Sequence, residues 1–524
     1  MRIEDYQGQP QPIVRIAVVE GEERIRFQVE GSFSVEDDCH SEAIKGEPGE
    51  IWEVRLKGGS TASFSYFART DLFVDQKEAR RCLRDRESQG LPARLMTVGE
   101  RLEHKGKLIL DNREHWICLG PFGTKEEAQE ALSKLELGQN ALVVPDMIGV
   151  PRGHMEVVGP DGQVQCLGRR MLVRTHHSGQ VVLHDSPVGR DFHWEHREKL
   201  AYRGDMEFLM GNDGKLLAVN ELPVEEYLVS VNSSEMSAQC PLELLKAQTV
   251  AARSTILVTA GKHHRLEPFD LCNGDHCQCY YGSLREGPVS RRAMEETRGE
   301  VLVSQGRVCD ARYSKVCGGI MEANEHVWPG EPISYMRSGI DAPSPKAAEA
   351  FYPISSEAKA REWIEATPEA YCNPDVPDLP EYLSYARDYY RWQVSYGRKE
   401  LEEIIKRKSG HNIGTLKELR PIARGESGRI SQLAIIGSEG TLVLERELEI
   451  RWVLSDTHLY SSCFIVDYQR DSGGQIEAID LRGAGWGHGV GLCQVGATMM
   501  AVRGKGHHEI LAHYYRDTSL KRIF

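Results

Sequence analysis

The chain lacks any run of about 18 apolar residues, the length a helix needs to span a bilayer, so no transmembrane segment is expected. It lacks a long basic run, and its 64 Lys and Arg against 78 Asp and Glu leave a formal charge of −14. That balance repels polyanions, which argues against nucleic acid or an anionic membrane as partner. The first residues, Met1-Arg2-Ile3-Glu4-Asp5-Tyr6-Gln7, have no apolar stretch behind a basic start, so no secretory signal is visible. There is no Ser-centred nucleophile elbow, no phosphate-cradling loop and no pair of separated CxxC knuckles. The 13 cysteines mostly sit singly in apolar stretches (Cys118, Cys166, Cys309, Cys463), where a small buried thiol is the default. What is present is 524 residues, 40% apolar and 27% charged, the composition of folded protein and enough chain for two to four units.

Three units are expected, and the fold class is multidomain α+β. Residues 1–64 alternate apolar and polar side chains (Val14-Arg15-Ile16; Ile25-Arg26-Phe27-Gln28-Val29) and predict a small antiparallel β unit. Residues 65–148 repeat a strand, helix, strand pattern twice, with helices expected over 75–89 and 124–137, which is a βαββαβ unit. Thr124 followed by Glu127 is a capping box that fixes the second helix start. Residues 149–524 open with hairpins around Gly159-Pro160-Asp161-Gly162 and Gly211-Asn212-Asp213-Gly214. Two central helices follow, one after Pro223 with Glu225 and Glu226 in its first turn, one from Pro241 to about Ala260. Further strands over 430–436, 442–444, 464–468 and 475–481 lead to a glycine-dense loop and a last pair of helices.

The densest chemistry runs from Asn220-Glu221-Leu222-Pro223 through Ser234-Glu235-Met236 to Lys246-Ala247-Gln248 and Val250-Ala251-Ala252-Arg253. Glu235 falls between the two helices, where desolvation raises a carboxyl's pKa towards that of an acid catalyst while a helix N-terminus opposes it. Capping a helix is the other role open to it. Gly485-Trp486-Gly487-His488-Gly489-Val490-Gly491-Leu492-Cys493-Gln494 lets another surface approach closely, and the Trp486 ring offers a platform suited to a sugar chain. A dinucleotide loop fails because the third glycine position is Val490. Cys272, His276, Cys277 and Cys279, with His263 and His264 nearby, leave zinc, a buried thiol cluster and a disulfide all open. His508 and His513 are five apart and diverge by about 140°, so this is no metalloprotease helix.

Taken in order, these segments, with Ser314 to Trp328 and Ile510-Leu511-Ala512-His513-Tyr514-Tyr515, resemble the SpoIID/LytB family of sporulation protein D and amidase enhancers over about residues 200–524. The resemblance implies a β-rich core with two central helices and a lytic transglycosylase that cuts denuded peptidoglycan glycan strands, leaving 1,6-anhydro-N-acetylmuramic acid ends. It makes Glu235 the acid and places Ser234, Lys246, Gln248, Arg253, Ser314, Trp486, His488 and Gln494 along the substrate. It implies a structural zinc on Cys272, His276 and Cys277, with His264 taken as fourth ligand ahead of His263 and Cys279. An extracytoplasmic location and a cell-wall amidase as a further partner are also implied. The stretch Trp116 to Gly123 with Glu126-Glu127-Ala128 resembles the SPOR domain, which grips stripped glycan strands. A non-catalytic glycan binder that activates an amidase and a zinc-dependent regulator are the competing readings.

Overall fold

The computed structural model describes residues 1–6, 8–37, 43–135, 141–176, 179–190, 192, 194–274, 276–344, 346–376 and 378–524, the side chains of 166, 167 and 347 excepted. Cys166 as a buried thiol, the end of the 124–137 helix and Asp275 of the cysteine loop fall outside the described residues. Cys118, Cys309 and Cys463 are buried as expected.

Residues 1–64 do not form a unit of their own. The strand Gln9–Glu22 pairs antiparallel with Leu216–Pro223, and Phe33–Asp37 pairs with Met171–Thr175, in one large sheet. Arg24–Glu30 lies between Trp52–Ser60 and Gln180–Val188 in a second, six-stranded sheet. The cause is packing. Ile25, Phe27 and Val29 alternate inward as the sequence pattern requires, but the side chains that cover them include Val181, Leu183 and Phe208, about 150 to 180 residues later. Each such buried side chain is worth about 1.5–3 kcal/mol, which a 64-residue fragment would forfeit.

The βαββαβ unit is as expected, with strands Ser63–Phe73, Ala93–Val98, Glu114–Phe122 and Leu142–Gly149 and helices α1 (Gln76–Ser88) and α2 (Lys125–Ser133). The Thr124 capping box is formed. In space its strands run fourth, first, third, second, all antiparallel. It is inserted into a hairpin of the six-stranded sheet, because Trp52–Ser60 before it and Arg152–Val158 after it are antiparallel partners. The sheet face away from the helices carries Phe67, Trp116, Cys118 and Val144 and is buried. There Arg265 lies over Trp116 at 5.7 Å and Lys262 pairs with Glu114 at 2.6 Å. A short hairpin (Arg101–His104 and Lys107–Asp111), not anticipated from the sequence, packs on Leu257, Val301 and Ile523. Asn112 then donates to the carbonyls of Leu257, Val258 and Ala260 at 2.7–3.1 Å, fastening the insert to the end of a central helix.

The two central helices are α3 (Val224–Glu235) and α4 (Leu242–Thr259). Buried residues occur on all sides of α4, as expected for a helix at the centre of a core. It packs on α3, on α5 (Pro288–Glu296), on Gln494–Val502 and on His507–Tyr514. Residues 391–484 add two three-stranded sheets around a core of their own, in which the four expected late strands all form.

Candidate active site

Glu235 is the last residue of α3 and is half-buried. It caps nothing: α4 has Pro241 at its N-cap and no side-chain cap bond. Instead its carboxylate takes hydrogen bonds from three segments. The Cys279 N–H donates to Oε1 at 2.9 Å, the Tyr313 hydroxyl to Oε1 at 3.3 Å, and the Gln494 carboxamide to Oε2 at 3.3 Å. Lys315 donates to the backbone carbonyl of Glu235. Ser234 accepts the Tyr281 N–H at 3.0 Å, so residues 279–281 run alongside the end of α3. Burial, reinforced by the Glu235 carboxylate, pushes the Tyr313 phenol well above its ordinary pKa, so it remains a neutral O–H donor.

Four motif segments thus meet at one carboxyl group, but not every expected residue takes part. Gln494 reaches Glu235 directly, and Gln248, fully buried on α4, stands 3.5 Å behind it. Lys246 is occupied by Glu243 at 2.7 Å, in the first turn of α4, and by Glu296 at 2.5 Å, the last residue of α5. Arg253 is 0% exposed and clamped to Glu225, so it is a core ion pair and not a substrate contact. Ser314 is also buried, with its strand neighbours Tyr313 and Lys315 reaching Glu235 in its place. Alternation explains this: residues i and i+2 share a strand face and i+1 turns away. That rule, applied to Tyr313-Ser314-Lys315, was the available signal for the two residues the sequence reading passed over.

Trp486 is half-exposed, as a platform requires. It stacks on Tyr389 at 4.2 Å and meets Trp194 edge-on at 5.6 Å. Tyr385 lies 6.5 Å from Tyr389, and burial holds its phenol above the ordinary value against the opposing pull of the Lys315 ammonium. A run of partly exposed rings therefore leads from near Lys315, which bonds the Glu235 carbonyl, out to Trp194. His488 is held neutral by its enclosed position near Arg312 and Arg429, accepts the Val490 N–H at 3.0 Å and packs on Trp328, which makes it a brace of the glycine loop.

The donor atoms of His264, Cys272, His276 and Cys277 all lie within 4.8 Å of one another. His264 Nε2 is 3.2 Å and His276 Nδ1 3.6 Å from Cys277 Sγ, near the edge of about 3.5 Å that two sulfurs and two nitrogens make around tetrahedral zinc. His263 turns to Arg312, and neither it nor Cys279 belongs to the group of donor atoms. His508 and His513 diverge as expected: His507 and His508 face Glu300 while His513 bonds Asp341.

Comparison with known proteins places these features. The family model described as Stage II sporulation protein (SpoIID) matches residues 212–303, which hold Glu235 and the cysteine loop. A second, a Domain of unknown function (DUF8618), matches 322–491, so the two models follow one another between residues 212 and 491. Stage II sporulation protein D of Bacillus amyloliquefaciens is 25% identical over 317 residues, 58% of this chain and 75% of that protein. An uncharacterized protein of Brachyspira hyodysenteriae is 29% identical over 321 residues, 61% of this chain and 72% of that one. An amidase enhancer of Bacillus subtilis is 25% identical over 304 residues, 56% of this chain but only 40% of the enhancer. With the motif order and the convergence on Glu235, these matches show a SpoIID domain in this chain and support its kinship with the SpoIID/LytB family.

Proposed function

We propose that this protein is a lytic transglycosylase that acts outside the cytoplasm on peptidoglycan strands stripped of their peptides. The observation that carries the reading is the single carboxylate on which a peptide N–H, a phenol and a carboxamide converge. Glycosidases generally use two carboxylates, one for water or covalent attack. Here the nucleophile belongs to the substrate. Glu235 gives its proton to the glycosidic oxygen as the C1–O bond breaks. The resulting carboxylate takes the proton of the muramyl C6 hydroxyl, whose oxygen closes onto C1. Acid and base are the same group, and proximity of the C6 hydroxyl replaces a second residue. Lys315 and the 279–281 segment hold the end of α3 still, and the rings from Tyr385 to Trp194 give the sugar faces something flat to lie on. Amidase-treated sacculi incubated with the full chain release anhydro-ended fragments; if only intact strands are recovered, the enzyme reading falls.

Tyr313→Phe removes one donor to the carboxylate without changing shape. Losing one hydrogen bond of this kind costs about 1–2 kcal/mol, so kcat should fall about 5- to 30-fold with KM little changed. Equal kcat would show that the phenol does not serve the reacting state.

The match to an amidase enhancer supports a second reading, a glycan-bound activator of a cell-wall amidase. It predicts faster hydrolysis by an added amidase and no anhydro product from the chain alone.

The cysteine-histidine loop fits zinc, and its role would be to fix residues 272–277 so that the Cys279 and Tyr281 N–H groups aim at the end of α3. When bound, the metal supplies a structural tie. His264→Ala should lose one zinc per chain by elemental analysis, and unchanged zinc content would remove His264 from the set.

A further inference from the structure

Cys317, Asp341, Cys372 and Cys493 come from four distant segments and are all buried, and their donor atoms lie within 4.8 Å of one another. Cys317 Sγ is 3.1 Å from Asp341 Oδ2 and 3.6 Å from Cys372 Sγ. Apolar packing of thiols does not account for the aspartate, since a 0% exposed carboxylate needs compensation. One oxygen is provided for: Asp341 Oδ1 accepts the Tyr514 hydroxyl at 2.9 Å and faces His513 Nε2 at 3.1 Å. The other, Oδ2, accepts the Cys317 S–H at 3.1 Å and looks into the three sulfurs.

Backbone donors point at two of the sulfurs. The Cys317 and Gly496 N–H groups donate to Cys493 Sγ at 3.2 and 3.4 Å, and the Gly319 N–H donates to Cys317 Sγ at 3.3 Å. A Cβ on Gly496 would stand 2.5 Å from Asp341 Oδ2, so only glycine leaves the carboxylate its place. Ligand atoms gathered within 4.8 Å of one another and held by hydrogen bonds from behind are the pattern of a metal's first ligands braced by their surroundings.

We propose that Cys317, Cys372, Cys493 and Asp341 form a second, fully enclosed zinc site, separate from the histidine-bearing loop. Three soft thiolates with one carboxylate suit zinc, and four protein ligands leave no open position, which makes the site structural. Binding forms four metal–ligand bonds, releases the thiol protons to solvent and changes no oxidation state. The formal charge is 2 − 4 = −2, towards which the N–H groups of Cys317, Gly319 and Gly496 point. Zinc–sulfur and zinc–oxygen bonds of about 2.3 and 2.0–2.2 Å set ligand separations of about 3.5–3.8 Å, so the widest pair closes by about 1 Å. The site ties the two segments that serve Glu235. Cys493 precedes Gln494, and Cys317 lies two residues beyond Lys315.

The test uses the full chain carrying His264→Ala and Cys277→Ser, which disables the loop set and keeps the result independent of it. Expressed with zinc, this chain should retain one zinc, and after cobalt exchange it should show a thiolate-to-cobalt charge-transfer band. Adding Cys372→Ser and Cys493→Ser should abolish both. Serine is itself a good N-cap, so the helix that Cys493 starts should persist, as circular dichroism would show. A folded loop-disabled chain without zinc or cobalt band overturns the proposal. So does a zinc content unmoved by the cysteine changes, and so does a Cys317–Cys372 disulfide found by mass spectrometry in freshly isolated protein.

Discussion

Glu235→Gln should reduce release of anhydro-ended fragments from denuded glycan by about 10²- to 10⁴-fold, the usual worth of a positioned acid-base group. The change is conservative for the fold for a reason visible behind it. The introduced amide oxygen can still accept from the Cys279 N–H and the Tyr313 hydroxyl, but its NH₂ would face the NH₂ of Gln494. Gln494 can turn its amide over if Gln248 does the same, and the Gln248 NH₂ has no hydrogen-bond partner in the present arrangement. Two amide flips therefore restore every bond. Melting temperature and binding to amidase-treated sacculi should stay near those of the parent while the chemistry disappears. Equal release by both proteins would remove Glu235 from the reaction, and loss of fold together with activity would make the comparison with Tyr313→Phe decisive in its place.

The parts of this molecule that were legible in the sequence are those specified within a few residues. Thr124 and Glu127 start α2 because a capping box is local, and Glu235 stands out because Ser-Glu-Met closes one helix just before Pro241 opens the next. What was not legible depends on partners far along the chain. Alternation in residues 1–64 correctly marks strands but cannot say that Gln9–Glu22 pairs with Leu216–Pro223. Nor can it show that the βαββαβ unit sits inside a hairpin whose halves, Trp52–Ser60 and Arg152–Val158, flank it. On α4, which is buried on all sides, no face is wet, so periodicity gave no means of separating Gln248, which backs the site, from Arg253, which does not. The cluster of Cys317, Cys372 and Cys493 escaped for the same reason: each thiol looked solitary until the fold brought the three together.

Arg253→Met should destabilise the protein by about 3–5 kcal/mol, the cost of removing one partner from a buried ion pair. Arg253 Nε and Nη2 donate to the two oxygens of Glu225 at 2.9 and 2.6 Å, and Nη1 donates to the Glu300 carbonyl at 3.0 Å. Without the guanidinium, Glu225 keeps only the Gly299 N–H at 3.1 Å against its charge, in a place where neither residue meets water. A fully packed methionine replaces the stem but not the charge. Since the pair joins α3 to α4 and α4 to the strand Glu300–Ser304, its loss loosens the frame on which Glu235 is mounted. Adding Glu225→Leu removes the stranded carboxylate and should recover a large part of the loss, because an apolar pair of similar volume is often as stable as a buried ion pair. Denaturant unfolding of the two single variants and the double variant measures this. A substrate contact would behave in the opposite way: Arg253→Met would leave the unfolding midpoint in place and weaken glycan binding, and Glu225→Leu would rescue nothing.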